Sequence, residues 1–227
     1  MVLDPLIIIV LSGVTAFSVM IAVFIHAWKF PESVKGHFIW GFAMLIGIFS
    51  AVLLGMRGVA PDLLSVVLGN TLYLAMIALM IAAISQLYDQ PIPWKSSWCC
   101  VFFITVALIY SETTEQGLHA RAQIASWPKV VLFVMAGWAI MKNIATSEFH
   151  IGTTVTMLSF IIAALVAISR AITYFVWGGG YDGMLTESVI QRVYIVSLGG
   201  CLVVASIGFI VMGYEKLAET QAAREST

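Results

Sequence analysis

The sequence is poor in charge. Of 227 residues, Lys and Arg supply 11 and Asp and Glu 12, so 10% are charged against 61% hydrophobic. Soluble domains carry about 25% charged and about 45–50% apolar residues. A chain of this composition has too little polar surface to cover its apolar part in water. The net charge of −1 does not indicate a surface for nucleic acid, and no nucleic-acid partner is expected. Cysteine is scarce too: Cys99 and Cys100 are adjacent and Cys201 lies in another apolar run. That spacing makes neither a disulfide framework nor a metal knuckle, and the three read as small apolar core residues. Alternation of polar and apolar residues, the mark of a membrane β-barrel, is also lacking, as are low-complexity segments and a second, soluble domain.

What is present is a series of long continuous apolar runs, with mean hydropathy +1.00. A spanning α-helix needs about 20 mainly apolar residues. Polar links and Pro or Gly breaks divide the chain into seven such runs: Pro5 to Trp28, His37 to Met56, Leu63 to Leu87, Trp94 to Tyr110, Trp127 to Ile144, Ile151 to Trp177 and Val189 to Gly213. The fifth is among the shortest and has Lys129 and Lys142 near its ends, so the count of seven depends on it. The first follows Asp4 rather than a basic region and ends in no small-residue cleavage site, so it is expected to be a retained helix and not a signal peptide. The expected fold is all-α and polytopic: residues 1–213 form a seven-helix transmembrane domain, and 214–227 a cytoplasmic helical tail.

Charge placement gives an orientation. Lys29, Lys35, Lys95, Lys142, Lys216 and Arg224 fall on one side of the expected topology. Arg57, Arg121 and Lys129 fall on the other, among Asp4, Asp62, Glu112, Glu115, Asp182 and Glu187. The positive-inside bias then puts the N-terminus outside and the C-terminus in the cytoplasm. Trp28, Trp94, Trp98, Trp127 and Trp177 stand at helix ends, where an aromatic belt belongs.

Polar residues within the spans are the candidate site. Arg170 sits about seven residues before the outer end of the sixth run, about 10 Å below the mouth at 1.5 Å per residue. Arg192 lies about one turn inside the seventh run, and Asn70 about two turns below Asp62 on the third. Tyr73, Tyr174 and Tyr194 share that depth. Charges at membrane depth face a bundle interior or a cavity, which points to a pocket open to the outer face for an anionic or hydrogen-bonding ligand. The competing reading is structural: Arg170 and Arg192 snorkel to lipid phosphates or pair with Glu187 and Asp182. The histidines His26, His37, His119 and His150 read as interfacial; no His-x-x-x-His pair or mid-membrane pair indicates a metal or haem. The absence of a lysine from Val189 to Gly213 excludes a retinal Schiff base. Small residues recur at helical spacing on the seventh run (Ser197, Cys201, Ala205, Gly208) and the sixth (Ala163 or Ala164, Ala167, Ala171), a device for close packing within one bundle or across a dimer.

Residues 40–72 carry a more specific pattern: Trp40-Gly41 opens an apolar helix, and Arg57, Pro61-Asp62, Ser65 and Asn70 follow. This resembles the N-terminal multi-helix sensor region of bacterial membrane-bound diguanylate cyclases of the GGDEF type. Arg170 fits an arginine often found late in the sixth helix there, and Gly208-Phe209 to Tyr214-Glu215-Lys216-Leu217 looks like the helix that leaves the membrane toward the cyclase. The resemblance implies a sensory domain in a bacterial inner membrane that relays a ligand or membrane signal to a cytoplasmic output. No GGDEF motif occurs in these residues, so cyclase activity, and enzymatic activity altogether, is not expected of them.

The expected function is therefore membrane signal transduction. The ligand-binding candidates are Asn70, Tyr73, Arg170, Tyr174, Arg192 and Arg57, with no catalytic or metal site. Expected partners are membrane lipids, a small-molecule, lipid or quinone ligand, a cytoplasmic effector domain and a second copy of the chain; the cofactor is unknown. The alternatives are an accessory subunit of a membrane complex or a small transporter, which would need a polar path through both halves. The inner half does not offer one: Val155 to Val166 holds only Thr156 and Ser159.

Overall fold

A computed structural model of the chain describes residues 5–30, 35–56, 59–114, 118–144, 151–177 and 189–225; side chains are described there except at 5–12, 118–122, 143–144, 177, 189–192 and 223–224. Among the described residues the fold is wholly helical. The helices are α1 (Pro5–Lys29), α2 (His37–Gly55), α3 (Gly69–Leu87), α4 (Trp94–Thr113), α5 (Leu118–Ile144), α6 (Ile151–Trp177) and α7 (Val189–Glu225). A π-helical segment, Leu63–Leu68, leads without a break into α3. Six helices are long and apolar enough to cross a membrane: α2, α3 with its π-helical lead-in, α4, and α5, α6 and α7 over Gln123–Lys142, Ile151–Val176 and Val193–Ala222. Helix α1 has 25 residues, and its described stretch Gly13–Lys29 is apolar but shorter.

Two boundaries differ from the sequence expectation. Helix α5 starts at Leu118 instead of Trp127, so part of the polar stretch before Trp127 is helical and Pro128 lies inside the helix. A proline removes one backbone donor, which costs little where a membrane helix is packed against neighbours. Helix α4 runs on to Thr113, where the hydroxyls of Ser111 and Thr113 donate to the carbonyls of Leu108 and Tyr110. Helix α7 runs through Gly213 to Glu225 in one piece, through the tail whose residues are helix-forming.

Helix α3 is the axis. It packs on α2, α4 and α5, while α1 and α6 close the bundle against α7. Leu74, Ile77, Met80, Ala82, Ala83 and Ile84 on α3 are 0% exposed. The outer helices divide cleanly by face. On α5, Ala125, Lys129, Phe133, Ala136 and Ile140 are buried, whereas Trp127, Val131, Val134, Trp138 and Met141 are exposed. Both sets follow the i, i+3, i+4 rhythm of one helical face. The exposed set is as apolar as the core, which in water would be untenable and in lipid is required.

Association in lipid gains little from the hydrophobic effect and depends on close packing and interhelical hydrogen bonds. The α6–α7 contact illustrates both. A Cβ added at Gly152 would lie 2.5 Å from the backbone nitrogen of Met212 and 2.9 Å from the carbonyl of Gly208. The two glycines thus let the backbones touch. The backbone N–H of Gly152 also donates to Glu215 at 2.9 Å, which satisfies one of the free donors at the start of α6. The small residues Ala163, Ala164, Ala167 and Ala171 are all buried within the bundle. At the same end, Gly36 precedes α2 with φ of +88°, and a Cβ there would collide with the carbonyl of Ala83. Only glycine fits both demands.

Candidate functional site

The end of the bundle that carries Asp62 holds a polar cluster between α3, α5, α6 and α7. Its centre is Lys129, which is 3% exposed. Lys129 Nζ donates to Asn70 Oδ1 at 3.1 Å and lies 4.9 Å from the centroid of the Tyr73 ring. Asn70 in turn donates through its amide nitrogen to the carbonyl of Val66 at 2.7 Å. That carbonyl belongs to the π-helical segment, where the wider winding shifts the usual i to i−4 pairing and leaves acceptors for side chains. On the same stretch Ser50 Oγ donates to the carbonyl of Gly69 at 2.8 Å, tying α2 to the junction. Asn70 is therefore held from behind and presents its oxygen to Lys129.

Arg170 occupies the other side of the cluster. Its guanidinium carbon lies 4.4 Å from the centroid of the Tyr194 ring and 5.4 Å from that of Tyr174. Such cation–π contacts strengthen when water is excluded. Tyr194 lies within electrostatic reach of both Lys129 and Arg170 and joins the two halves of the cluster. Among the described residues no carboxylate lies at ion-pair distance from either cation; the ion pairs are Lys35–Asp89 and Lys216–Glu219, both solvent-exposed and at the opposite end. The Tyr73 hydroxyl is buried without a hydrogen-bond partner.

Beside the cluster is a cavity of ≈ 200 Å³. Tyr73, Lys129 and Tyr194 form its polar end, and the remaining wall is supplied mainly by α1, α2 and α7. Small residues leave the space: Gly13, Ala16, Gly47, Ala51, Gly55 and Gly199 all line it. An engineered apolar cavity of about 150 Å³ admits benzene, so the volume suits part of a small ligand.

The structure brings together four of the six residues expected from sequence. Asn70 and Tyr73 meet at Lys129, while Arg170 and Tyr174 meet beside Tyr194. The side chain of Arg192 and the whole of Arg57 lie outside the described residues. Lys129, read from sequence as a residue of a helix mouth, is instead the buried hub, because α5 begins earlier and carries it below the end. A projection of α5 at 3.6 residues per turn would have found it, since Lys129 shares a face with Ala125, Phe133, Ala136 and Ile140.

The opposite end is plain by comparison. His26 and His37, expected at the interface, are 4% and 0% exposed. They sit in an aromatic ladder: the rings of His26 and His37 are 4.9 Å apart, His37 and Phe209 stack at 4.5 Å, and Phe209 and Trp40 at 4.0 Å. Trp40 Nε1 donates to Ser206 Oγ at 3.0 Å, so α2 and α7 are locked there by a hydrogen bond as well. No group of three or more His, Cys, Asp or Glu that could hold a metal ion occurs among the described residues. At that end Tyr88, which caps α3 and shares a hydrogen bond of 3.2 Å with Thr153, has its phenol pushed above the usual range by burial.

Comparison with known protein families, curated proteins and solved structures finds no match to this chain.

Proposed function

We propose that this chain is a sensory membrane domain, in which occupancy of the cavity biases the packing of α7 and α7 passes that difference to a cytoplasmic effector. The observation that carries the reading is the continuity of α7. The same helix lines the cavity with Tyr194, Leu198 and Leu202 and runs without interruption to Glu225. A ligand that contacts α7 in one packing better than in another shifts the balance between them by its difference in affinity. The interlocked far half, with Trp40, Phe160 and Phe209 fully buried, supports a closed bundle over a transport path. In this reading all seven helices span a bacterial inner membrane, with the N-terminus outside and the exit segment of α7 in the cytoplasm. The effector is of the diguanylate cyclase kind, and a pair of chains serves it.

The test is a distance measurement. Spin labels at Lys142 and Ala222, both exposed, report the exit of α7 relative to α5. The reading expects two distance populations whose ratio changes between protein in total lipid extract and protein stripped and returned to pure phosphatidylcholine. One unchanged population in both would overturn it.

A further inference from the structure

Deepening the sensor reading, and resting on it for the claim that a ligand exists, we propose that the cavity binds a single-chain amphiphile with a monoanionic carboxylate head. The head sits on Lys129, Tyr73 and Tyr194, and the chain lies along the small-residue wall of α1 and α2.

Charge is the first argument. Lys129 is a buried cation with no carboxylate among its described partners, which are the Asn70 amide oxygen, the Tyr73 ring face and the Tyr194 phenol. Buried charges at membrane depth are normally paired, because an isolated one is strongly disfavoured. An ammonium group has three N–H donors, and Asn70 takes one of them. The second cation, Arg170, is engaged by the two tyrosine faces and does not line the cavity. One cation faces the space, so one negative charge completes it.

Hydrogen-bond capacity is the second. The Tyr73 hydroxyl is buried and unpartnered in a residue that lines the cavity. Leaving such a group unpaired costs about 1–3 kcal/mol. A carboxylate is acceptor-only and has two oxygens, so it can accept from the ammonium and from a phenol together. A neutral carbonyl, as on a quinone ring, would serve the hydroxyl but leave the cation uncompensated.

Shape is the third. The wall away from Lys129 is apolar, and a Cβ at Gly13 would meet nothing within 4 Å. The volume of ≈ 200 Å³ is below the range of about 300–1,000 Å³ usual for drug-sized ligands. It has room for a head on Lys129 and part of one chain beside it.

The experiment uses the full chain in phosphatidylcholine nanodiscs and follows ligand-dependent thermal unfolding by tryptophan fluorescence, with laurate, dodecanol and acetate as probes. Laurate is expected to bind at least about tenfold more tightly than dodecanol, the difference a charged head makes at about 1.4 kcal/mol per tenfold. Acetate, lacking the chain, is expected to give no shift. Lys129→Met should abolish the preference for laurate over dodecanol, and Gly13→Leu, which fills open space, should weaken both. Should Lys129→Met not fold, Tyr73→Phe carries the test, with laurate weakened by about threefold to tenfold and dodecanol less affected. Equal binding of laurate and dodecanol, or a full laurate preference in Lys129→Met or Tyr73→Phe, overturns the proposal. Laurate binding without movement of α7 in the label experiment overturns the sensor reading and leaves this site standing. Movement of α7 in lipid extract without a laurate preference does the reverse.

Discussion

Lys129 donates to Asn70 across 59 positions of sequence, Nζ to Oδ1 at 3.1 Å, and this bond joins α5 to the first turn of α3. Both residues are buried, at 3% and 7% exposure. The bond therefore holds a charge and a dipole that have no water to turn to.

Its removal has a defined sign in each direction. Asn70→Leu leaves the ammonium without its amide acceptor and should destabilise the bundle by about 1.5–3 kcal/mol, the value of a hydrogen bond to a charged group. Lys129→Met alone removes the buried charge but strands the Asn70 oxygen, and should cost about 1–3 kcal/mol in the ligand-free protein, whereas apolar replacement of both partners is often tolerated. The double variant should then recover most of the loss seen in either single variant. Reversible unfolding of all four proteins in mixed micelles gives the cycle; additive effects would show that the two residues do not interact.

The glycines at the α6–α7 crossing make a second prediction. Gly152→Ala places a methyl group 2.5 Å from a backbone nitrogen that cannot move aside, and it should cost about 1–3 kcal/mol through overpacking. Gly137→Ala and Gly200→Ala, whose added Cβ atoms meet nothing within 4 Å, should instead stabilise the protein by about 0.5–1 kcal/mol through helix propensity. Midpoints of thermal unfolding for the three variants check this; the same sign for all three would refute the backbone contact.

How far these features were legible from sequence depends on their range. Continuous apolar runs gave the helices, and for α6 and the Leu63–Leu87 span both ends as well, since lipid removes the polar surface that blurs such patterns in soluble folds. The depth of Asn70, Tyr73, Arg170 and Tyr174 followed from rise per residue alone. Lys129 was misplaced because a lysine two residues after Trp127 looks like a helix end, and only the face it shares with Phe133 and Ala136 says otherwise. The π-helical winding at Leu63–Leu68 is invisible in its residues, which read as an ordinary apolar turn. The burial of His26 and His37 is likewise a tertiary matter, set by Phe209 and Tyr214 from a helix more than 170 positions beyond His37.

A third prediction concerns the lock at the far end. Trp40→Phe keeps an aromatic ring beside Phe209 but deletes the donor to Ser206, and should cost about 0.5–1.5 kcal/mol. Trp40→Ala empties a fully buried site and should cost about 3–5 kcal/mol. If α2 and α7 separate during signalling, the Phe variant should also shift the two populations of the spin-label experiment toward one state. Loss of stability without any change in that ratio would make Trp40 a packing residue only.

The last prediction is one of sidedness. Native Cys99 is exposed near the start of α4, and Ala222 is exposed on the last turns of α7. The bundle places both at the end that also carries the Lys35–Asp89 and Lys216–Glu219 pairs. These pairs are exposed and contribute little to stability, on the order of 0–1 kcal/mol. The lysines matter for topology instead, since positive residues in short loops are retained on the cytoplasmic side. A membrane-impermeant maleimide applied to intact cells should therefore spare Cys99 and an Ala222→Cys variant alike, and react with an Asp62→Cys variant at the opposite end. In inverted vesicles the pattern should reverse. Cys99 and Ala222→Cys reacting from opposite sides would contradict the helix order itself; all three reacting with swapped polarity would keep the bundle and invert the orientation, placing the cavity near the cytoplasmic face and the end of α7 outside.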